Sequence, residues 1–287
     1  MRVLTFLIIF LFNICAIGFC SPENSSCYPE RIISLGPALT AQLCLLGVED
    51  KLVGVTTYCR MPSQAQQKEK VGTVIEVNLE KVISLRPDLV VATPLTNLKT
   101  KEKLKDLGIR VASFPSPKNF SQVCEQFLEL GRIVGREKEA QDIARQAKYK
   151  VGLIKKSIEQ LPRPKVFIQV GARPLYTVTE DSFINDVIKL AGGRNIAQGL
   201  KSGLYSREQV LKEDPDYIII VTMGIAAVAE RKAWESFEAL NAVSSNRIYI
   251  IDSYKICSPT PVTFVEALQE MVAILHPERA QAIKRDE

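Results

Sequence analysis

Two stretches of the chain, NLEKVISLRPDLVVA (residues 78–92) and SREQVLKEDPDYIII (residues 206–220), repeat one pattern. Each opens on a residue suited to cap a helix and places a glutamate, Glu80 or Glu208, at the second helical position. Seven residues after the glutamate a Pro-Asp pair closes the helix, and an apolar strand follows. The copies stand 128 residues apart, so one helix-then-strand unit is used twice. That duplication restricts the chain to α/β architectures built from two related halves.

The surrounding pattern agrees. In the first half, RIISL (31–35), KLVGV (51–55), DLVVA (88–92) and IRVAS (109–113) read as strands, with an apolar helix at 38–46 and further helices near 79–86, 98–107 and 119–134. In the second half, KVFIQV (165–170), DYIIIV (216–221) and RIYII (247–251) are strands, and helices are expected near 181–191, 206–213, 233–240 and 261–275. Alternating short strands and helices predict two similar α/β lobes with mostly parallel sheets. The lobes are assigned to residues 21–135 and 162–287.

Between them, residues 136–161 are rich in helix formers, hold one glycine and no proline, and stop at Pro162 and Pro164. A flexible linker would carry Gly, Ser or Pro instead. The segment predicts one long rigid helix of roughly 35–40 Å that joins the lobes as a spine and limits hinge motion.

Arg2, the apolar run VLTFLIIFLFNICAIGF and polar SPENSS read as a secretory signal over residues 1–20. Cleavage after Gly18 or after Cys20 fits. A lipid anchor on Cys20 is the less favoured alternative, because Phe19 is larger than such sites take. The expected location is the periplasm or the outer face of the cytoplasmic membrane. Beyond this segment stand Cys27, Cys44, Cys59, Cys124 and Cys257, an odd number that cannot all pair within the chain. Cys44 and Cys124 fall on expected helices, where they either bridge or serve as small buried hydrophobes.

The Lys and Arg residues are scattered and the net charge is only +5, which argues against a nucleic-acid partner. The single histidine, His276, reads as a helix-end residue, and no CxxC pair or HExxH helix exists, so no metal site is expected. No glycine-rich phosphate loop follows a strand, and no GxSxG elbow occurs. Nothing supports an enzyme.

Glu80 and Glu208 have a plain structural role, since a carboxylate in the first turn stabilises a helix by about 0.3–1 kcal/mol. In the second copy Ser206 and Gln209 also form a capping-box pattern. Topology adds a second reading. A helix that feeds the next parallel strand starts at the edge where strands end, and that edge is where open α/β sheets bind ligands. Each lobe therefore carries one exposed glutamate on the rim of an interlobe cleft, a pair suited to a partner with two arginines.

RIISLGPALTAQLCLLGVEDKLVGVT, VNLEKVISLRPDLVVA, VFIQVGARPLYTVTEDSFINDVIKLAGGRNIA and YSREQVLKEDPDYIIIV together resemble the periplasmic substrate-binding proteins for cobalamin and ferric siderophores. The likeness runs from about Arg31 to Leu275 and is greatest to the cobalamin binders. It implies a class III periplasmic binding protein-like fold and a shallow cleft. The bound metal chelate, a corrinoid first and a ferric siderophore or haem next, would be the ligand, with no resident cofactor. The partners implied are an ABC permease and its ATPase, with the free protein a monomer. In such proteins a glutamate at the head of each lobe's motif pairs with permease arginines, which assigns permease docking to Glu80 and Glu208.

The loops at the strand ends supply the expected ligand contacts: Gly36, Pro37, Tyr58, Arg60 and Pro94 from the first lobe, and Arg173, Tyr176 and Ser258 from the second. Aromatic rings suit the faces of a macrocycle and arginines suit anionic chelates. Val262 stands where many relatives have arginine, which favours a corrinoid. Cys59 and Cys257 fall in the same expected loops, where a thiolate would be placed to ligate a bound metal. The alternative to transport is an exported enzyme or a sensor that acts on a corrinoid or related ligand.

Overall fold

The computed structural model describes residues 28–60, 62–222 and 226–279. The signal segment, Cys20 and Cys27 lie outside them. Among the described residues no helix is long and apolar enough to cross a membrane.

The short apolar runs of the first half become β1 (Ile32–Ser34), β2 (Leu52–Val55), β4 (Leu89–Ala92) and β5 (Arg110–Ser113), with a two-residue β3 (Glu69–Lys70) at one edge. All pair in parallel in the order β3-β2-β1-β4-β5. The helices are α1 (Pro37–Leu45), α2 (Ser63–Gln66), α3 (Leu79–Ser84), α4 (Leu98–Asp106), α5 (Phe120–Ile133) and the spine α6 (Glu137–Ser157). β1 and β4 are buried along their whole length, as expected of a sheet covered on both faces.

The second lobe holds β6 (Lys165–Ala172), β7 (Leu175–Thr177), α7 (Phe183–Leu190), β8 (Arg194–Asn195), α8 (Arg207–Glu213), β9 (Tyr217–Val221), α9 (Ala227–Glu235), α10 (Asn241–Ser244), β10 (Ile248–Ile251), α11 (Ser253–Cys257) and α12 (Pro261–Leu275). Its sheet runs β10-β9-β6-β7, with β8 also on β6. Only β7 is antiparallel, folded back from the end of β6. The α/β class with two mostly parallel sheets holds.

The duplication extends to backbone detail. Arg86 and Asp214, each just before the motif proline, both adopt left-handed φ values of 45° and 44°. Asp88 accepts hydrogen bonds from the Glu30 and Arg31 amides at 2.8 and 3.1 Å, and Asp216 accepts one from the Lys165 amide at 2.7 Å. Each motif aspartate thus ties the start of the neighbouring strand.

Two expectations shift. The spine helix spans 21 residues, about 32 Å, shorter than expected because Ile158 already leaves helical geometry. The helix expected at 233–240 lies earlier, as α9, which reaches only Glu235, and α10 begins just beyond the segment at Asn241.

The spine carries one narrow buried stripe of Ala140, Ala144, Ala147, Val151 and Ile154 at alternating spacings of four and three. Ala140 packs in the first-lobe core with Phe127 and Leu130 of α5, while the remainder pack in the second-lobe core with Phe264, Leu268 and Met271 of α12. α5 divides the same way, giving Phe120, Val123 and Cys124 to the second core. Phe120 and Phe264 meet at 4.7 Å between ring centroids. The lobes are joined by a shared helical layer rather than a hinge strand. Cys44 and Cys124 are free thiols, not a bridge, and burial pushes both up to about 11.

His276 ends α12 as expected, buried, with its Nε2 3.1 Å from the Ala191 carbonyl. Burial holds the imidazole below its ordinary value against that hydrogen bond and the Glu278 carboxylate, which pull it up. The neutral form therefore belongs to the folded state. Its stability contribution is complete above the unfolded value near 6.5 and is lost as pH falls through the lower folded value. Denaturation midpoints should drop on acidification through that window, and His276→Gln should flatten the dependence.

Candidate functional site

Parallel pairing puts the C-terminal ends of the first-lobe strands on one edge, and the sequence-predicted contacts fall there. After β1, Gly36 lies so close to the β4 loop that an added Cβ would meet the Thr93 methyl at 2.5 Å, and Pro37 starts α1 at a position where its missing amide is not needed. After β2, Thr56 and Cys59 begin the loop, and Tyr58 stands 53% exposed beside exposed Arg60. After β4, Pro94 is exposed.

In the second lobe β6 and β7 form a hairpin through Arg173 and Pro174. Strand alternation buries Leu175 and Thr177 and turns Tyr176 outward, 43% exposed. Arg173 is exposed beside it. Ser258 is half-buried at the end of α11, and its carbonyl accepts from the Thr263 hydroxyl at 3.0 Å. Val262 is exposed in the first turn of α12.

Contacts between the lobes bring the two edges together. The Tyr254 hydroxyl, just past β10, donates to the Tyr58 carbonyl at 3.2 Å. Deeper down, Gln42 Nε2 of α1 donates to the Pro259 carbonyl at 3.0 Å. Near the start of α5, Lys118 pairs with Asp181 at 3.0 Å, and the Phe120 amide donates to Asp186 at 2.8 Å. Tyr58 and Arg60 therefore lie on the edge joined to that of the second lobe. Tyr254 opens the segment 254–261 that the sequence places at a second-lobe strand end, and its bond to Tyr58 is set by how the lobes meet.

The cysteines are not presented as metal ligands. Cys59 is buried, its Sγ 3.1 Å from both the Thr40 and Thr56 hydroxyls. Burial and the Asp252 carboxylate push the Cys257 thiol up to about 12. The Cys59 thiol is turned inward to two hydroxyls and the raised Cys257 thiol stays protonated at neutral pH, so the geometry does not favour the metal ligation raised from loop position. Among the described residues no group of three or more His, Cys, Asp and Glu side chains is placed to hold a metal ion.

Glu80 and Glu208 are both exposed in the first turns of their helices. Asn78 caps α3 by accepting from the Lys81 amide at 3.0 Å, and Lys81 pairs with Glu69 of β3 at 2.6 Å. Ser206 and Gln209 form the reciprocal capping box of α8, at 3.2 and 2.9 Å. Hydrogen bonds from its own amide and the Ser206 hydroxyl hold the Glu208 carboxyl below the usual range. It is ionised at neutral pH, as a charge-pairing role requires.

Known proteins share this arrangement. The periplasmic binding protein family matches residues 32–255. An uncharacterized ABC transporter substrate-binding lipoprotein of Bacillus subtilis (strain 168) is 32% identical over 258 residues, covering 87% of this chain and 81% of the relative. The crystal structure of the periplasmic vitamin B12 binding protein of Vibrio cholerae superposes with a TM-score of 0.76 at 27% identity, covering 88% and 98% of the two chains. A possible iron-binding, periplasmic solute-binding protein of Staphylococcus epidermidis gives 0.76 at 27% identity, covering 86% and 99%. The chain belongs to the periplasmic binding protein family.

Proposed function

We propose that this protein is the extracytoplasmic substrate-binding component of an ABC importer. It captures a metal chelate between its lobes, a corrinoid such as cobalamin first, and delivers it to a permease and its ATPase. The observation that carries the ligand reading is the pair of outward-turned tyrosines, Tyr58 on one strand-end edge and Tyr176 on the other. A large aromatic ring held in solvent at a cleft suits the flat face or edge of a macrocycle. The named B12 and iron binders among its relatives support the same class. Exposed Arg60 and Arg173 favour an anionic iron chelate as the second reading. Docking is assigned to Glu80 and Glu208, one per lobe, each on a capped helix start.

Calorimetry of the protein expressed from residue 21 against cyanocobalamin, cobinamide, haem and ferric siderophores tests the ligand. Saturable corrinoid binding at micromolar or tighter is expected. Tyr176→Ala should weaken it roughly tenfold, the loss typical of one stacked aromatic contact. Binding of a siderophore alone would replace the corrinoid reading with the second one. Turnover of any of these compounds by the purified protein would overturn the transport reading.

A further inference from the structure

The two copies of the acidic motif differ at the residue before the glutamate. In the first copy it is Leu79, packed at the margin of a small apolar cluster with Val82 and Leu104. In the second it is Arg207, whose side chain enters a network with no counterpart among the described residues of the first lobe. The Arg207 guanidinium lies 4.3 Å over the ring of Trp234, the chain's single tryptophan, and Nη2 donates to Glu230 at 2.7 Å. Glu230 also accepts from Gln169 Nε2 at 2.8 Å, and Gln169 Oε1 accepts from the Trp234 indole at 2.7 Å. Gln169 and Trp234 are fully buried, and the Glu230 side chain is 12% exposed.

This network sits where the ligand hairpin meets the helix that carries Glu208. Gln169 lies on β6, and its Nε2 also reaches the Gly171 carbonyl at 3.3 Å at the base of the hairpin. The backbone makes the same join. The Thr177 amide donates to the Gly203 carbonyl at 2.8 Å, and the Tyr205 amide to the Leu175 carbonyl at 3.0 Å, two residues before Arg207. Gly203 is pressed against the Tyr176 ring, which an added Cβ would meet at 2.7 Å.

A planar guanidinium held on one face by an indole and on its edge by a carboxylate has one orientation, whereas an exposed glutamate on a short helix has many. We propose that Arg207 is a positioning residue: clamped between Trp234 and Glu230, it fixes the first turn of α8 against the β6–β7 hairpin and so aims Glu208 at the permease. The inference rests on the docking role of Glu208. It makes the two docking contacts unlike in kind. The second-lobe glutamate is mounted on an ionic and aromatic seat continuous with the ligand hairpin, and the first-lobe glutamate is mounted on aliphatic packing.

The test compares wild type with Arg207→Lys, Arg207→Met and, as a benchmark, Glu208→Lys. Lysine keeps the charge but loses the planar fork. Docking of the ligand-free protein to its cognate permease in lipid nanodiscs, the carboxyl 13C titration of Glu208 and the single indole NMR resonance are read together. Both Arg207 variants should move the indole resonance, raise the Glu208 midpoint towards the ordinary carboxylate value and weaken docking roughly tenfold. If Arg207→Met does not fold, Arg207→Lys carries the same expectations. A lysine variant that titrates and docks like wild type, while Glu208→Lys abolishes docking, overturns the inference alone. Wild-type docking by Glu208→Lys overturns the docking role, and the inference falls with it.

Discussion

Reversing both rim charges, Glu80→Arg with Glu208→Arg, should abolish chelate uptake by cells that carry the permease while leaving chelate affinity at its wild-type value. Juxtaposing like charges at a docking surface costs several kcal/mol, which is a factor of about a hundred or more in affinity. Each single reversal should show an intermediate loss, because the contacts lie in separate lobes. Chelate affinity is spared because both carboxylates are exposed on helix starts and neither is among the side chains assigned to the ligand. The fold pays only the lost helix-start interaction, about 0.3–1 kcal/mol at each site. Uptake assays and calorimetry on the same variants separate the two effects. Wild-type uptake by the double reversal would remove these glutamates from docking.

Phe264→Ala should cost about 3–5 kcal/mol, the usual range for emptying a buried phenylalanine site. Phe264 is 2% exposed and packs on Phe120 in the layer common to both lobes. Its loss acts on two things at once. It lowers the denaturant midpoint, and it loosens the contact between α5 and α12 beside the bond from the Phe120 amide to Asp186. Denaturant titration gives the first effect, and the distance between spin labels on the two lobes gives the second. An unchanged midpoint would show that the layer repacks without it.

The central strands were legible because they are contiguous runs of apolar residues buried on both faces, as in LVVA of β4 and YIIIV of β9. Helix α12 was legible at both ends, with Thr260 and Pro261 at its start and His276 at its stop. Strands β3, β7 and β8 hold two or three residues each and are too short for any periodicity to show. Helix α9 was expected too late in the chain because its N-cap residue, Ala226, has no side chain that can cap.

The candidate site divides in the same way. Loop membership of Tyr58, Arg60 and Arg173 follows from strand ends, which a sequence reveals, whereas Tyr176 lies on the short strand β7, where alternation turns it outward. The Tyr254 contact to Tyr58 depends on how the lobes are set against each other. The Arg207 network joins residues as far apart as 65 positions. Cys59 sits in the expected loop, yet its thiol turns inward to two threonines, a choice of side that loop membership does not record.

The buried stripe of the spine has a counting consequence. Ala140 belongs to one core and Ala144 to the other, so the boundary between lobes falls within one turn of α6. A single residue inserted there would advance the second lobe by about 1.5 Å and rotate it by about 100° about the helix axis. The Phe120–Phe264, Tyr254–Tyr58 and Lys118–Asp181 contacts between the lobes would all be pulled apart while each lobe kept its own sheet. The residue count of the spine must therefore agree with the contacts that α5 makes across the same layer, and the azimuth of one lobe relative to the other is held by both.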